Sequence, residues 1–364
     1  MKIVESKNTN LYKYEVAEDS NYKIFESDKA HYVFDKKTGI MMSWGETMTE
    51  DPQEFPVPTI LDLEVSTKCN KPVPCKFCYK SNTHSGDIMS LDTFKKIIDT
   101  MSRGLTQVAL GSGYYGIENP YIFDMMDYAR LRGIIPNITV GCVREDLADA
   151  YAKRVGAIAI SRYEDSVNDC YNSVKRMTDR GITQTNIHCM ICEETYKGAL
   201  QTLEDAKTDP RLKKLNAIVF LSLKTKGRGN KGFTPLSQDK FDNLVNKAKE
   251  YNIGIGFDSC SSLKAFKAYK GDANVSKLIE PCESGSISSY INVKGIYYPC
   301  SFAEGTKTNN LDWSEGIDVL SCKDTDEFLT KVWYNKKTKE FRKALQESRK
   351  CNEYDCRECP LYSV

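Results

Sequence analysis

Three cysteines, Cys69, Cys75 and Cys78, stand within ten residues in the stretch STKCNKPVPCKFCYKSN (66–82). Three thiolates on one short loop can hold three irons of a [4Fe–4S] cluster and leave the fourth iron open to another ligand. A zinc knuckle is the alternative, but it needs a fourth ligand and the stretch itself holds no histidine. A second set lies toward the end of the chain. Cys282 and Cys300 form Cys-x12-Gly-x4-Cys around Gly295, and Cys356-x2-Cys359 follows. These four thiolates match the number for a closed [4Fe–4S] site, with four-cysteine zinc as the alternative. Cys260 and Cys351 are spare, and either could replace one of the four. The chain has 14 cysteines but only 3 histidines, which argues against a zinc hydrolase. Close cysteine spacing in a cytosolic chain points to metal or redox chemistry rather than disulfides.

Around these clusters stand polar residues at the ends of apolar runs. Gly111-Ser112-Gly113 follows QVALG, and glycine lets a backbone approach a ligand closely. Ser161 and Arg162 follow AIAI, and Arg162 could meet a carboxylate bidentately. Thr139 and Cys142 occupy the end of the preceding run. His188 alternates either into the lumen or into the helix layer. Cys189 and Cys192 read as buried thiols.

The elements that must position these groups follow from periodicity. Apolar runs at 60–65, 107–111, 137–141, 157–161, 186–191, 217–223 and 253–258 alternate with amphipathic stretches at 91–102, 119–133, 144–156, 165–181 and 237–252. Ser90, Asn119-Pro120 and Ser237 are start signals. Repeated βα units with nearly continuous apolar strands predict an α/β fold with parallel strands under helices. The count suits a partial (β/α)6 TIM-type barrel, with a doubly wound sheet as the alternative. In either, catalytic groups belong at the carboxyl ends of the strands. Residues 1–55 predict a β-rich N-terminal extension, with HYVFDKKTGIMMSW as a hairpin turning at Gly39. Residues 56–260 form the core. Residues 261–364 predict a small cysteine-rich α+β domain with a hairpin in SSYINVKGIYYPCS and a helix at 338–350.

Composition narrows the function classes. Hydrophobic residues make up 40% of the chain, enough for a sizeable core, and 51 basic against 50 acidic residues give a net charge of +1. This balance disfavours a nucleic-acid partner. No apolar run approaches the roughly 20 residues that span a bilayer. The polar N-terminus lacks a signal-peptide core, so a cytoplasmic location is expected.

With Cys69, Cys75 and Cys78 on a loop after the first strand and Phe77 just before the third cysteine, the chain resembles the radical SAM superfamily. The first gap is wider here than the usual x3. The resemblance implies S-adenosyl-L-methionine chelated at the open iron and Phe77 beside its adenine. Gly111, Ser112 and Gly113 fall where relatives carry a Gly-Gly-Glu type motif for the methionine amine, though no Glu stands at the third position. Ser161, and comparably Thr139 or Cys142, would meet the ribose hydroxyls, and Arg162 the carboxylate. Glu193 or Glu194 falls where relatives place an acidic residue near the adenine. The tail resembles the twitch or SPASM extensions, which implies a second, auxiliary [4Fe–4S] cluster on Cys282, Cys300, Cys356 and Cys359. An electron donor such as flavodoxin or ferredoxin is implied as a partner. The expected activity is reductive cleavage of S-adenosylmethionine and hydrogen-atom abstraction, for peptide or protein modification or oxidation. The alternative is dehydrogenation of a small alcohol or aminosugar.

Overall fold

Strands whose alternate residues are buried against helices assemble in the order of the chain. The computed structural model describes residues 1–364 apart from 231, 271, 277, 349–356 and 363–364. An antiparallel meander comes first: β1 (Lys2–Asn8), β2 (Lys13–Glu18), β3 (Tyr22–Ser27), β4 (His31–Asp35) and β5 (Met41–Trp44). The predicted hairpin is β4–β5, and Gly39 in its turn takes φ +76°. The meander buries Tyr14, Val16, Phe25, Tyr32 and Phe34. Tyr32 Oη donates to the Gly104 carbonyl at 2.5 Å and the fully buried Lys23 ammonium to the Leu105 carbonyl at 2.6 Å. Burial lowers the Lys23 pKa to about 7. These contacts dock the meander at the amino-terminal end of the next sheet.

That sheet is built by six βα units: β6 (Ile60–Glu64) and α1 (Leu91–Thr100), β7 (Gln107–Gly111) and α2 (Ile122–Leu131), β8 (Ile135–Val140) and α3 (Glu145–Ala152), β9 (Ile158–Ser161) and α4 (Val167–Asp179), β10 (Thr185–Ile191) and α5 (Tyr196–Thr208), β11 (Ala217–Ser222) and α6 (Gln238–Tyr251). The short β12 (Ile255–Phe257) closes the series. All seven strands are parallel and neighbours follow chain order from β6 to β12. A doubly wound sheet would reverse direction at a switch point. The unbroken order is that of a barrel wound one way and left open, a partial (β/α)6 barrel.

The helices start where side chains cap them. Ser90 Oγ accepts the Thr93 amide at 3.0 Å and opens α1. Asn119 Oδ1 accepts the Tyr121 amide at 2.9 Å on the approach to α2. Its side-chain amide donates to the carbonyls of Val65 and Met89 at 2.8 and 2.9 Å, tying the end of β6 to the entry of α1, and α2 begins only at Ile122.

The tail hairpin, β13 (Ser288–Ile291) and β14 (Ile296–Tyr298), does not stand apart. β13 pairs in parallel with β6, and the strand Ile317–Asp318 pairs with β14, giving a ten-stranded sheet. Trp333 donates from Nε1 to the Phe55 carbonyl at 3.1 Å and locks the helical tail beneath. The last described helix is Lys336–Glu347. Among the described residues, no helix is long and apolar enough to cross a membrane.

Candidate functional site

The carboxyl ends of β6–β11 open onto a cavity of about 480 Å³. Cys69, Cys75 and Cys78 line it, on the loop that follows β6. The Cys75 and Cys78 thiols share a hydrogen bond, which raises Cys75 and lowers Cys78 to about 6. The loop is held from across the barrel. Arg228, in the segment after β11, donates to the carbonyls of Cys75 and Asn82, and its own amide donates to the Cys78 carbonyl at 3.0 Å. Gly227 just before it sits at φ +59°, where any side chain would run into the Tyr79 carbonyl.

The same cavity is lined by Phe77, Gly111, Ser112, Gly113, Thr139, Ser161 and Arg162. The Phe77 ring stacks on Tyr163 at 6.0 Å and meets Phe233 edge-on at 5.9 Å. Gly113 faces the loop so closely that a Cβ would lie 2.5 Å from both the Lys68 carbonyl and the Glu118 carboxyl carbon. Glu118 accepts from the amides of Asn70 and Tyr115, and its Oε2 is buried without a partner. Arg162 is 8% exposed and paired with Glu164, yet its Nε has no hydrogen-bond partner. Two expected acids lie elsewhere. Glu193 pairs with Lys240, and Glu194 accepts the Thr234 amide beside an outer groove that Phe233 also lines. Cys142 is buried beside this wall, and Cys189 and Cys192 are buried thiols.

His188, whose alternation left the lumen and the helix layer open, faces the lumen, and burial lowers its pKa to about 4. Deeper, the floor carries groups that the sequence did not single out. Lys80 bonds to Glu64 Oε1 at 3.0 Å, to Tyr290 Oη at 2.8 Å and to Glu304, joining the cysteine loop to β6 and the tail hairpin. Burial works to lower Lys224, but Asp258 and the Cys260 thiol beside it hold it above its ordinary value. Tyr79 and Phe302 wall this side with ring centroids 4.4 Å apart. The acids of β6 could have been found from sequence. In ILDLE the leucines alternate with Asp62 and Glu64, and period two sends both carboxylates to one face. Lys224 and Glu304 carry no such signal, because only the tertiary fold brings each to its partner, Asp258 and Lys80.

Phe302 and Ser301 of this wall follow Cys300 directly. Behind them gather the thiols of Cys282, Cys300 and Cys359. Burial pushes Cys300 up to about 12, and the charges of Cys282 and Cys359 add to it. Cys260 is raised by burial and senses Cys282 and Cys300 as well. Arg357 donates to the Cys282 carbonyl at 3.3 Å. Cys356 and Cys351 lie outside the described residues. Among the described residues, no group of three or more His, Cys, Asp or Glu side chains converges on a single ion.

No protein-family model and no curated protein sequence matches the chain. Solved structures share its fold. Streptococcus suis SuiB superposes with a TM-score of 0.60 at 11% identity, covering 86% of this chain and 88% of SuiB. SuiB bound to S-adenosylmethionine gives 0.61 at 14% identity, over 82% of this chain and 72% of that one. SuiB bound to its precursor peptide SuiA gives 0.64 at 11% identity, over 84% and 86%.

Proposed function

We propose that this chain is a radical SAM enzyme that acts on a peptide or protein. One observation carries the reading. Cys69, Cys75, Cys78 and seven of the residues picked out for S-adenosylmethionine (Phe77, Gly111, Ser112, Gly113, Thr139, Ser161 and Arg162) line one cavity at the carboxyl ends of the barrel strands. The likeness in fold to SuiB, solved with S-adenosylmethionine and with a precursor peptide, supports the same class.

The residues present fit the groups they would hold. Three thiols on one loop suit three irons of a [4Fe–4S] cluster. The stacked Phe77 and Tyr163 offer an aromatic face to an adenine. Gly111 and Gly113 expose backbone to an amine, Thr139 and Ser161 present hydroxyls to a ribose, and the unpartnered Nε of Arg162 is a charged donor for a carboxylate. When bound, the cluster and S-adenosylmethionine supply one-electron cleavage of a carbon–sulfur bond and a carbon radical that takes a hydrogen atom from substrate. The chain's own part is positioning and exclusion of water, with Tyr79, Phe302 and Leu223 closing the wall. The gathering of Cys282, Cys300 and Cys359 behind this wall supports an auxiliary cluster next to the substrate, where it would take up an electron released by oxidation. Flavodoxin or ferredoxin is the expected reductant for the first cluster.

The test is direct. Protein reconstituted with iron and sulfide under anaerobic conditions, then given dithionite and S-adenosylmethionine, should form 5′-deoxyadenosine. Cys75→Ala should abolish that product and keep the iron of the second group. No product from fully loaded wild-type protein would overturn the reading.

A further inference from the structure

One acid in the cavity has no counterpart. Asp62 sits at the centre of β6, between Ala109 of β7 and Tyr290 of β13. Its strand neighbours Leu61 and Leu63 are buried in the helix layer, so its exposed side chain opens onto the cavity lumen. The other two cavity carboxylates are satisfied: Glu64 by Lys80, and Asp258 by Lys224. The cavity arginines do not reach Asp62 either: Arg162 pairs with Glu164 and Arg228 with main-chain carbonyls. Among the described residues, Asp62 has no hydrogen-bond or ion-pair partner. Burial raises its pKa to about 6, so near neutral pH most of it is ionised. A carboxylate that faces the lumen with no cation of its own is free to pair with one carried by whatever binds there. Tyr79, close enough to feel the Asp62 charge, supplies with Phe302 the aromatic walls that a cation also favours.

We propose that Asp62 is the specificity-determining residue of the cavity, pairing with a protonated amine or guanidinium on the substrate. This rests on the cavity being the substrate site of the enzyme proposed above. The cation has two possible sources, a basic side chain of a peptide or a free amine such as an aminosugar, and the test separates them.

The test measures binding to reconstituted protein with S-adenosylmethionine present, by anaerobic calorimetry. The probes are two matched pairs: Ac-Gly-Lys-Gly-NH2 against its norleucine counterpart, and glucosamine against glucose. The cationic member of one pair should bind about tenfold tighter than its neutral partner, a preference of roughly 1.4 kcal/mol. Preference in the first pair identifies a peptide, and in the second a free amine. Asp62→Asn should erase the preference, and Asp62→Glu should keep part of it. Iron content and affinity for S-adenosylmethionine should be unchanged in both variants. No cation preference in either wild-type pair overturns the proposal, whatever the variants do, as does a preference that survives in Asp62→Asn. A failure of the radical reading would show separately, as wild-type protein that forms no 5′-deoxyadenosine.

Discussion

Arg228 holds Cys75 by its backbone: Nε donates to the Cys75 carbonyl at 3.0 Å while both terminal nitrogens reach the Asn82 carbonyl at 3.0 and 3.1 Å. A residue from beyond the fifth helix thus fixes the shape of a loop after the first barrel strand. Hydrogen bonds from a charged donor are worth about 1.5–3 kcal/mol each. Arg228→Ala should therefore release iron to a chelator about tenfold faster or more. Arg228→Lys, with a point charge in place of a fork, should fall between. Timed chelation of the reconstituted protein measures both.

Lys80 serves two carboxylates at once. Burial would raise Glu304, but the hydrogen bond and charge of Lys80 hold it below its ordinary range. Glu64 stays raised, since its burial outweighs the same cation. Lys80→Met takes the bonded cation from both acids, leaving Glu64 the Val293 amide and Glu304 the Asn292 side chain, and should cost about 3 kcal/mol at pH 7. Without the cation, burial makes both acids bind protons more tightly in the folded state. The loss should then shrink as the pH falls toward the ordinary carboxyl range, and urea melts at pH 7.5 and 5 check this.

Asp62 and His188 pull stability in opposite directions. The Asp62 pKa is raised to about 6, so its cost is present above that pH and fades as acid protonates it. The His188 pKa is lowered to about 4, so stability drains between its unfolded value of about 6.5 and pH 4. Asp62→Asn should raise stability at pH 7 by about 1 kcal/mol, allowing for water in the lumen that screens the charge. His188→Gln should lose less stability than wild type as the pH falls from 6.5 to 4, since the opposing Asp62 effect is left. Thermal melts of the metal-free protein across that range read both slopes.

Gly113→Ala places a methyl against the Lys68 carbonyl and the Glu118 carboxyl. Neither can move without shifting Cys69 or Asn70. Affinity for S-adenosylmethionine should fall about tenfold or more, with a lower melting temperature as the backbone shifts. Equilibrium dialysis with labelled S-adenosylmethionine is the measurement.

Cys300→Ala separates the two thiol groups. Wild-type protein should hold about eight irons per chain, and the variant about four. The variant should still form 5′-deoxyadenosine while losing substrate turnover. Four irons in the wild type, together with one zinc, would assign the second group to zinc.

The barrel was legible because its strands are short apolar runs and its helices carry caps such as Ser90. The loop chemistry was legible because Cys69, Cys75 and Cys78 are close in sequence. Asn119 does mark the entry to α2, since its Oδ1 accepts the Tyr121 amide, but its second task, the bonds from its amide across to Val65 and Met89, was not legible. Arg228, Lys80 and Lys224 were silent in sequence, since each acts on groups brought near only by folding. The pairing of β13 with β6 was hidden for the same reason, because no local pattern says which strand a distant hairpin will join.

That pairing also sets a timetable. Ile60 and its partner Ser288 are separated by more than two hundred residues, so β6 leaves the ribosome long before the strand that flanks it exists. Until then one side of β6 is a bare edge, and Lys80 has no Glu304 or Tyr290 to bind. The first cysteine loop can settle only after most of the chain has been made. The shape that the proposed iron site needs would therefore come late, timed by the arrival of a hairpin that carries none of Cys69, Cys75 and Cys78.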